Sequence, residues 1–571
     1  MIASVGDLLA QLAASATSER DKGDKFERLV RRWLELDPSW AERFSKVFMW
    51  ADWPGRGNRQ DNGIDLVAIE DETGLAWAVQ CKFFAADHYV TKGDVDTFLS
   101  ESGKHPFAGR LIVATTDRWN SAAEQAIGDQ QIPVLRIGLT DLLDSPVDWG
   151  QFSFSSPDDL HLLPGKTLRP HQVAALEAVR AGFESHDRGK LIMACGTGKT
   201  FTSLRIAEDL VGVGRSVLFL VPSIALLSQS LREWSQEALL PLRCFAVCSD
   251  AKVGKGKGGE GEDISVVDLE IPATTDPARL IGQVQGNPAA GIDRMTVVFS
   301  TYQSIDVINQ AQRMGLSHFD LIICDEAHRT TGATLTGQDE SAFVRVHDDD
   351  YIGGAKRLYM TATPRIYDDA SKAKAKDREQ DVLLASMDDE SLFGPEFHRL
   401  DFGQAVGMGL LSDYRVLILT VPENAVSKVM QPAFAVESEL NLPNAARIIG
   451  CWNGLAKRGG PDDFPTDPEP MKRAVAFSGD IKASKQFEQQ FSAVVGHYQD
   501  VIDGATTSVQ GGVVVTDETG LLRTEVAHVD GTMNILKRNA ALDWLRSEPP
   551  AGDCRILTNA RCLWTCLHWT R

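Results

Sequence analysis

The chain has 571 residues, with 58 Lys and Arg against 79 Asp and Glu and a formal net charge of −21. That length exceeds what one hydrophobic core organises and predicts about three or four domains. The acid excess excludes a uniformly basic nucleic-acid coat but not a local basic path, which is what DNA binding needs. Nine scattered cysteines, no secretory leader and no apolar run long enough to span a bilayer predict a reducing cytoplasm and no membrane partner.

From the N-terminus, Gly23-Asp24-Lys25-Phe26-Glu27-Arg28-Leu29-Val30 opens a stretch in which Phe26, Leu29, Val30, Trp33 and Leu34 recur at helical spacing. The spacing predicts an amphipathic helix with Glu27 near its start. Asn62-Gly63-Ile64-Asp65-Leu66-Val67-Ala68 reads as a strand entered through a glycine turn, and Trp77-Ala78-Val79-Gln80-Cys81-Lys82 as a neighbouring strand. Residues i and i+2 share a sheet face, so Asp65, Gln80 and Lys82 would present three polar groups together. A carboxylate and a carbonyl oxygen there could hold a divalent metal, with the lysine polarising the attacking water or the phosphate. Gln80 and Lys82 interrupt an otherwise apolar strand, which costs free energy unless a ligand or metal satisfies them. The plain alternative is solvated groups at strand ends. Arg110 to Thr116 supplies a further core strand. Arg28, Arg31 and Arg32, and Arg56 and Arg59, are candidate phosphate contacts or, equally, a solvated helix face and a charged loop.

A Ser-, Asp- and Pro-rich linker at Gln151 to Pro164 precedes the next domain. There the apolar run Leu191-Ile192-Met193 leads into Gly196-Thr197-Gly198-Lys199-Thr200. Two glycines let successive backbone N–H groups turn inward around phosphate oxygens. Lys199 then reaches the β- and γ-phosphates of ATP, and the Thr200 hydroxyl ligates Mg²⁺. The helix starting at Thr200 aims its N-terminal dipole at the same anion. Met193 departs from the strict pattern, which has glycine there. The second half of such a site is Leu321-Ile322-Ile323-Cys324-Asp325-Glu326-Ala327-His328, a short apolar strand followed by two acids. Asp325 would hold Mg²⁺ and Glu326 would orient the attacking water. Between these halves, Lys252 to Glu262 is Gly-, Lys- and Glu-rich and reads as a flexible surface insertion. Cys81, Cys195 and Cys324 each adjoin a motif and are expected as small core residues.

Further segments occur in the order that superfamily 2 helicases use, and the chain resembles that family from about Leu162 almost to its end. Leu168-Arg169-Pro170-His171-Gln172 is similar to the element upstream of the phosphate loop, which implies that Gln172 reads the adenine edge. Val217 to Ser223 with Ala225-Leu226-Leu227, and Phe299 to Gln303, resemble motifs Ia and Ib, implied to lie along a nucleic-acid backbone. Thr361-Ala362-Thr363-Pro364 resembles motif III. Past a boundary near Gly407 to Ser412, Val475 to Ser478 resembles motif IV and Ile556 to Arg561 the start of motif V. The glycine–acid turn and the arginine finger of motif VI do not follow. Trp564 to Arg571 matches a one-base-shifted reading of a back-translated continuation (Val-Asp-Val-Pro-Ala-Leu-Asp-Ala), so a frameshifted, truncated product is expected. Cys562, Cys566 and His568 lack an evident fourth ligand, and no zinc site is expected there.

The N-terminal region resembles the Mrr-like branch of the PD-(D/E)XK nucleases, in which glutamine replaces the second acid. That resemblance implies Glu27, Asp65, Gln80 and Lys82 as the nuclease site, with Glu27 and Asp65 on the metal. An Mrr-like nuclease joined to a DEAH-box motor resembles the N-terminal half of a Type ISP restriction-modification enzyme. The expected architecture is therefore α/β: a PD-(D/E)XK nuclease domain at 1–155, a RecA-like ATP-binding lobe at 156–410, and a second, incomplete RecA-like lobe at 411–571. The implied function is Mg²⁺-dependent cleavage of double-stranded DNA coupled to ATP-driven movement along it. A separately encoded methyltransferase and target-recognition half is the partner that such a division would require. Two other readings stay open: a stand-alone helicase-nuclease for phage defence, and a catalytically impaired DNA-binding remnant.

Overall fold

The computed structural model describes residues 5–58, 63–104, 106–128, 130–152, 160–249, 266–286, 293–335, 342–367, 382–413, 442–457, 469–506, 509–510, 513–514, 522–530, 533 and 535–560. The expected insertion at Lys252 to Glu262, Arg59, Asn62, Arg561 and the whole tail from Cys562 to Arg571 lie outside the described residues. The chain divides into two compact units, Met1–Asp413 and Tyr414–Arg571.

In the first unit the predicted amphipathic helix spans Glu19–Leu36, capped by Ser18, whose side chain accepts from the Asp21 backbone. Glu27, expected near the start, stands mid-helix because the Ser18 cap begins the helix earlier. It buries Phe26, Leu29, Val30, Trp33 and Leu34, the five positions of the apolar pattern. The sheet beside it has five strands in sequential order: β1 (Phe44–Met49), β2 (Leu66–Glu70), β3 (Ala76–Lys82), β4 (Phe107–Ala114) and β5 (Val134–Ile137). β1, β2 and β3 are antiparallel neighbours, whereas β3, β4 and β5 run parallel. Parallel neighbours need crossovers, and the helices Lys92–Ser102 and Ser121–Gly128 provide them. Residues Leu111 to Ala114 of β4 are fully buried, as expected of a strand covered on both faces.

The second sheet of this unit contains β6 (Arg188–Met193), β7 (Ser216–Val221), β8 (Leu242–Val247), β9 (Ala273–Thr274), β10 (Met295–Thr301) and β11 (Leu321–Cys324). After β12 (Gly332–Leu335), which pairs with β14 (Val382–Ala385), it also takes β13 (Arg357–Thr361) and β15 (Glu396–Leu400). Its order is β15-β6-β13-β11-β7-β10-β8-β9, with every pairing parallel. Apolar cores cover both faces, one around Phe219, Trp234 and Phe299 and the other around Tyr302, Tyr359 and Phe393. All strands point the same way, so the loops after β6, β11 and β13 emerge at one edge, where doubly wound folds bind ligands.

The two sheets of this unit are tied by charge. Arg232, on the helix Ile224–Glu237, pairs with Asp141, with Asp144 at 3.2 Å and with Glu270 at 3.0 Å. Arg136 of β5 pairs with Asp268, Arg294 reaches Asp71 at 2.6 Å, and Arg43 donates to the Glu270 carbonyl at 3.0 Å.

The second unit has a parallel sheet, β16-β20-β19, built from β16 (Arg473–Phe477), β19 (Arg523–Val529) and β20 (Asp553–Asn559), beside a small pair, β17 (Val509–Gln510) and β18 (Val513–Val514). Ile449, Trp452, Phe491, Val494 and Ile556 form its core.

Candidate functional site

The residues of both expected sites fall within the first unit. In the N-terminal sheet, Leu66 of β2 lies opposite Val79 of β3, so the next pair along is Asp65 and Gln80. The Asp65 amide donates to the Val79 carbonyl at 2.9 Å, and the Asp65 carboxylate accepts from the Cys81 amide at 2.7 Å. Glu27 and Asp65 line one open cleft of about 670 Å³ together with Trp50 and Arg56. The charges of Asp65 and Glu27 add to burial in raising the Cys81 thiol well above its usual range, while Lys82 opposes them. Asp65, Glu27 and Lys82 therefore act on one point.

Gln80 is 2% exposed. Its Nε2 donates to the Gly63 carbonyl at 3.0 Å, and its Oε1 is buried without a hydrogen-bond partner among the described residues. A buried acceptor left open costs free energy. An amide oxygen beside two carboxylates is the donor set that a hard divalent cation takes. Among the described residues no group of three or more His, Cys, Asp and Glu gathers anywhere, so the fit to a metal rests on Glu27, Asp65 and the Gln80 amide oxygen. Gly63 adopts φ +84°, a left-handed turn that glycine tolerates without cost, and it aims the chain into Asp65.

At the edge of the parallel sheet, β6 ends at Met193 and the helix Lys199–Leu210 begins after a loop whose glycines have φ +81° (Gly196) and +83° (Gly198). A Cβ on Gly198 would lie 2.5 Å from Gln172 Nε2, so the cradle has no room for a side chain there. Gln172 is buried and engaged at both ends. Its Oε1 accepts from the Arg169 amide at 2.9 Å and its Nε2 donates to the Thr197 and Gly198 carbonyls at 3.4 Å. His171 joins it on the Thr197 carbonyl at 3.0 Å. Cys195, expected in the core, is exposed instead, because it sits in this turn beyond the strand.

Asp325 follows β11, with one strand, β13, between it and the loop. It is buried, and its carboxyl is pushed up to about 6, chiefly by burial and then by Glu326, against the charge of Lys199. Burial also works on Glu326, but the His328 hydrogen bond and Lys199 outweigh it and hold that carboxyl below its usual value. Lys199 thus lies within electrostatic reach of both acids. Glu326 has φ +48°, a strained conformation for a residue with a Cβ.

Three contacts join segments that the sequence showed only one at a time. Tyr302 donates to the Asp325 carbonyl at 2.9 Å, His328 Nδ1 lies 3.1 Å from Thr361 Oγ1, and Gln303 donates to the Pro222 carbonyl at 3.0 Å. The segment at Thr361 to Pro364 is thereby joined to Glu326 through one imidazole, since His328 Nδ1 also lies 3.3 Å from a Glu326 carboxylate oxygen. Each contact crosses between strands distant in sequence, and only their adjacency in the sheet reveals it. In the second unit, the segments resembling motifs IV and V lie on the neighbouring strands β16 and β20, where the Ser478 amide donates to the Asn559 carbonyl at 2.8 Å.

Comparison with known families assigns residues 35–159 to a restriction endonuclease domain of the Mrr type and residues 165–366 to the res subunit of Type III restriction enzymes. Among solved structures, the ATP-dependent Type ISP restriction-modification enzyme LlaBIII, bound to DNA, superposes with a TM-score of 0.77 at 37% identity over 98% of this chain. The chain shares the fold of the matched part of that Type ISP enzyme. It spans 34% of the length of LlaBIII. A nuclease-deletion mutant of LlaGI, also Type ISP, matches 68% of the chain and 25% of its own length at 33% identity and a TM-score of 0.45. A probable helicase of African swine fever virus is 27% identical over 252 residues, 44% of this chain and 24% of the viral protein. The expected fold class, nuclease and helicase domains in one α/β chain, is thus the observed one, and the matched families are hydrolases that between them use a nucleotide and a divalent metal. No described helix is long and apolar enough to cross a membrane.

Proposed function

We propose that this chain hydrolyses ATP to move along double-stranded DNA and cuts that DNA with a Mg²⁺-dependent nuclease, as part of a cytoplasmic restriction system against phage. The observation that carries the reading is Lys199 at the same sheet edge as Asp325 and Glu326 and within electrostatic reach of both, in the same unit as a cleft lined by Glu27 and Asp65.

In this reading 1–155 is the nuclease, 156–410 the ATP-binding lobe and 411–571 the second lobe. Gly196, Thr197 and Gly198 offer backbone N–H groups to the phosphates, Lys199 neutralises them and Gln172 reads the adenine edge. Thr200 and Asp325 hold Mg²⁺, and Glu326 orients the attacking water. In the nuclease, Glu27, Asp65 and the Gln80 carbonyl hold the metal, and Lys82 steadies the charge that develops on the phosphate. Bound Mg²⁺ supplies Lewis-acid polarisation of the phosphoryl oxygens in both sites. Recognition and methylation of the target belong to a partner half.

The test is DNA-stimulated ATP hydrolysis beside a Lys199→Ala control, with Mg²⁺-dependent plasmid cleavage followed in parallel with Asp65→Ala. ATP turnover that survives Lys199→Ala, or cleavage that survives Asp65→Ala, would show that the chemistry lies elsewhere.

A further inference from the structure

The metal-site cleft is lined by more than its two carboxylates. The helix Glu19–Leu36 contributes Arg28, Arg31 and Arg32, and the segment after β1 contributes Trp50 and Arg56. These arginines differ in what already holds them. Arg31 and Arg32 share the one carboxylate of Glu35, at 3.1 Å and 3.6 Å, and are held within their own helix. Arg28 is exposed and makes no hydrogen bond or ion pair among the described residues, although it adjoins Glu27 on the cleft wall. A guanidinium left uncompensated beside a metal-ligating carboxylate, in a chain of net charge −21, is placed to meet an anion.

Arg56 enters from the other segment. Its guanidinium lies 5.9 Å from the Trp50 ring, and Trp50 is only 5% exposed. Trp50 is fixed in turn, because its amide donates to the Asp65 carbonyl at 2.8 Å and its ring packs against Trp53 at 5.7 Å. The aromatic platform that braces Arg56 is therefore bonded to the residue that carries the catalytic carboxylate. Through that link the arginine keeps its place relative to Asp65. The cleft is also open, which suits a strand passing through it better than an enclosed small molecule.

We infer that Arg28 and Arg56 are positioning residues of the nuclease, each gripping a backbone phosphate of the DNA strand that is cut so that one phosphodiester lies over Glu27 and Asp65. The inference rests on the nuclease reading above. A planar guanidinium suits a phosphate because its N–H pairs match two oxygens at once, and such contacts are read independently of base sequence.

The test uses the full chain carrying Arg28→Ala, Arg56→Ala and the charge-keeping Arg28→Lys. Each lost phosphate contact should lower the slope of log binding constant against log salt by about 0.9. The KM for Mg²⁺-dependent cleavage of an oligonucleotide duplex should rise roughly tenfold per alanine, the size of a charge-assisted hydrogen bond, with kcat changed less. DNA-stimulated ATP turnover should stay at the parent level, and Arg28→Lys should recover part of the loss. An unchanged salt slope and KM in both alanine variants, while Asp65→Ala is inactive, overturns the phosphate role and leaves the nuclease reading intact. Cleavage that persists in Asp65→Ala overturns both. Should the parent not cleave, the salt slope measured without metal decides, since it reads phosphate contacts alone.

Discussion

Replacing Arg232 by alanine should weaken the junction between the N-terminal sheet and the parallel sheet. The guanidinium meets Asp141 and Asp144 on one side and Glu270 on the other, and its side chain is only 18% exposed. Burial raises Asp144, and it pushes Glu270 up to about 7, with Arg232 opposing the rise in both cases. Without Arg232 three carboxylates converge with no cation between them. Removing one partner of a buried pair costs about 3–5 kcal/mol, a large fraction of a typical domain's stability. The sign with pH follows from Glu270. Its folded pKa lies above its unfolded one, so its burial is tolerated below about 4.5 and becomes unfavourable as pH rises through about 7. Arg232→Ala should therefore be worse at pH 8 than at pH 6, and adding Glu270→Gln should restore part of the loss. Urea unfolding at both pH values, followed by tryptophan fluorescence, measures it. Equal destabilisation at the two pH values, with no coupling in the double mutant, would refute the claim that repulsion among these carboxylates is the cost.

Other perturbations probe single contacts. Gly198→Ala forces a Cβ into a +83° backbone and within 2.5 Å of Gln172 Nε2; nucleotide affinity, read by titration calorimetry, should fall at least about tenfold from the left-handed strain alone. Gly282→Ala, in the helix Pro277–Gln285 with nothing within 4 Å of the added Cβ, should instead stabilise by about 0.5–1 kcal/mol in thermal unfolding. His347 is buried and held down to about 4, chiefly by burial. Its ring nitrogens lie 3.0 Å from the Tyr359 hydroxyl and 3.1 Å from the Thr330 carbonyl, partners that suit the neutral ring. Because the folded pKa is depressed, this contribution is complete above about 6.5 and should be lost as pH falls through about 4, on the order of 3 kcal/mol; His347→Gln should flatten that part of the stability–pH curve. Gln80→Glu sets a carboxylate against the Gly63 carbonyl that Gln80 Nε2 now serves, costing about 1–3 kcal/mol in metal-free buffer, and added Mg²⁺ should recover more stability than in the parent.

The amphipathic helix was legible because its five apolar positions keep helical spacing, and the structure buries those same residues. The glycine loop at Gly196 to Lys199 and the acids after β11 were legible for a related reason: a tight turn needs glycine, and the magnesium chemistry proposed for this edge needs carboxylates at a strand end, whatever surrounds them. Gln80 announced itself as a polar break in an apolar strand, and it is buried. What surrounds these residues was not legible. Arg232, Asp141 and Glu270 look like ordinary solvated charges along the chain, yet they meet at a buried junction. His328 and Thr361 meet because β11 and β13 are neighbours, and Cys195 is exposed because the turn carries it past the strand. The sequence alone determined which residues could turn, charge or ligate, since these are properties of each side chain and its local backbone. Only the tertiary structure decided which of them share a cleft and which charges compensate one another, since strand order and burial are set by packing between segments distant in the chain.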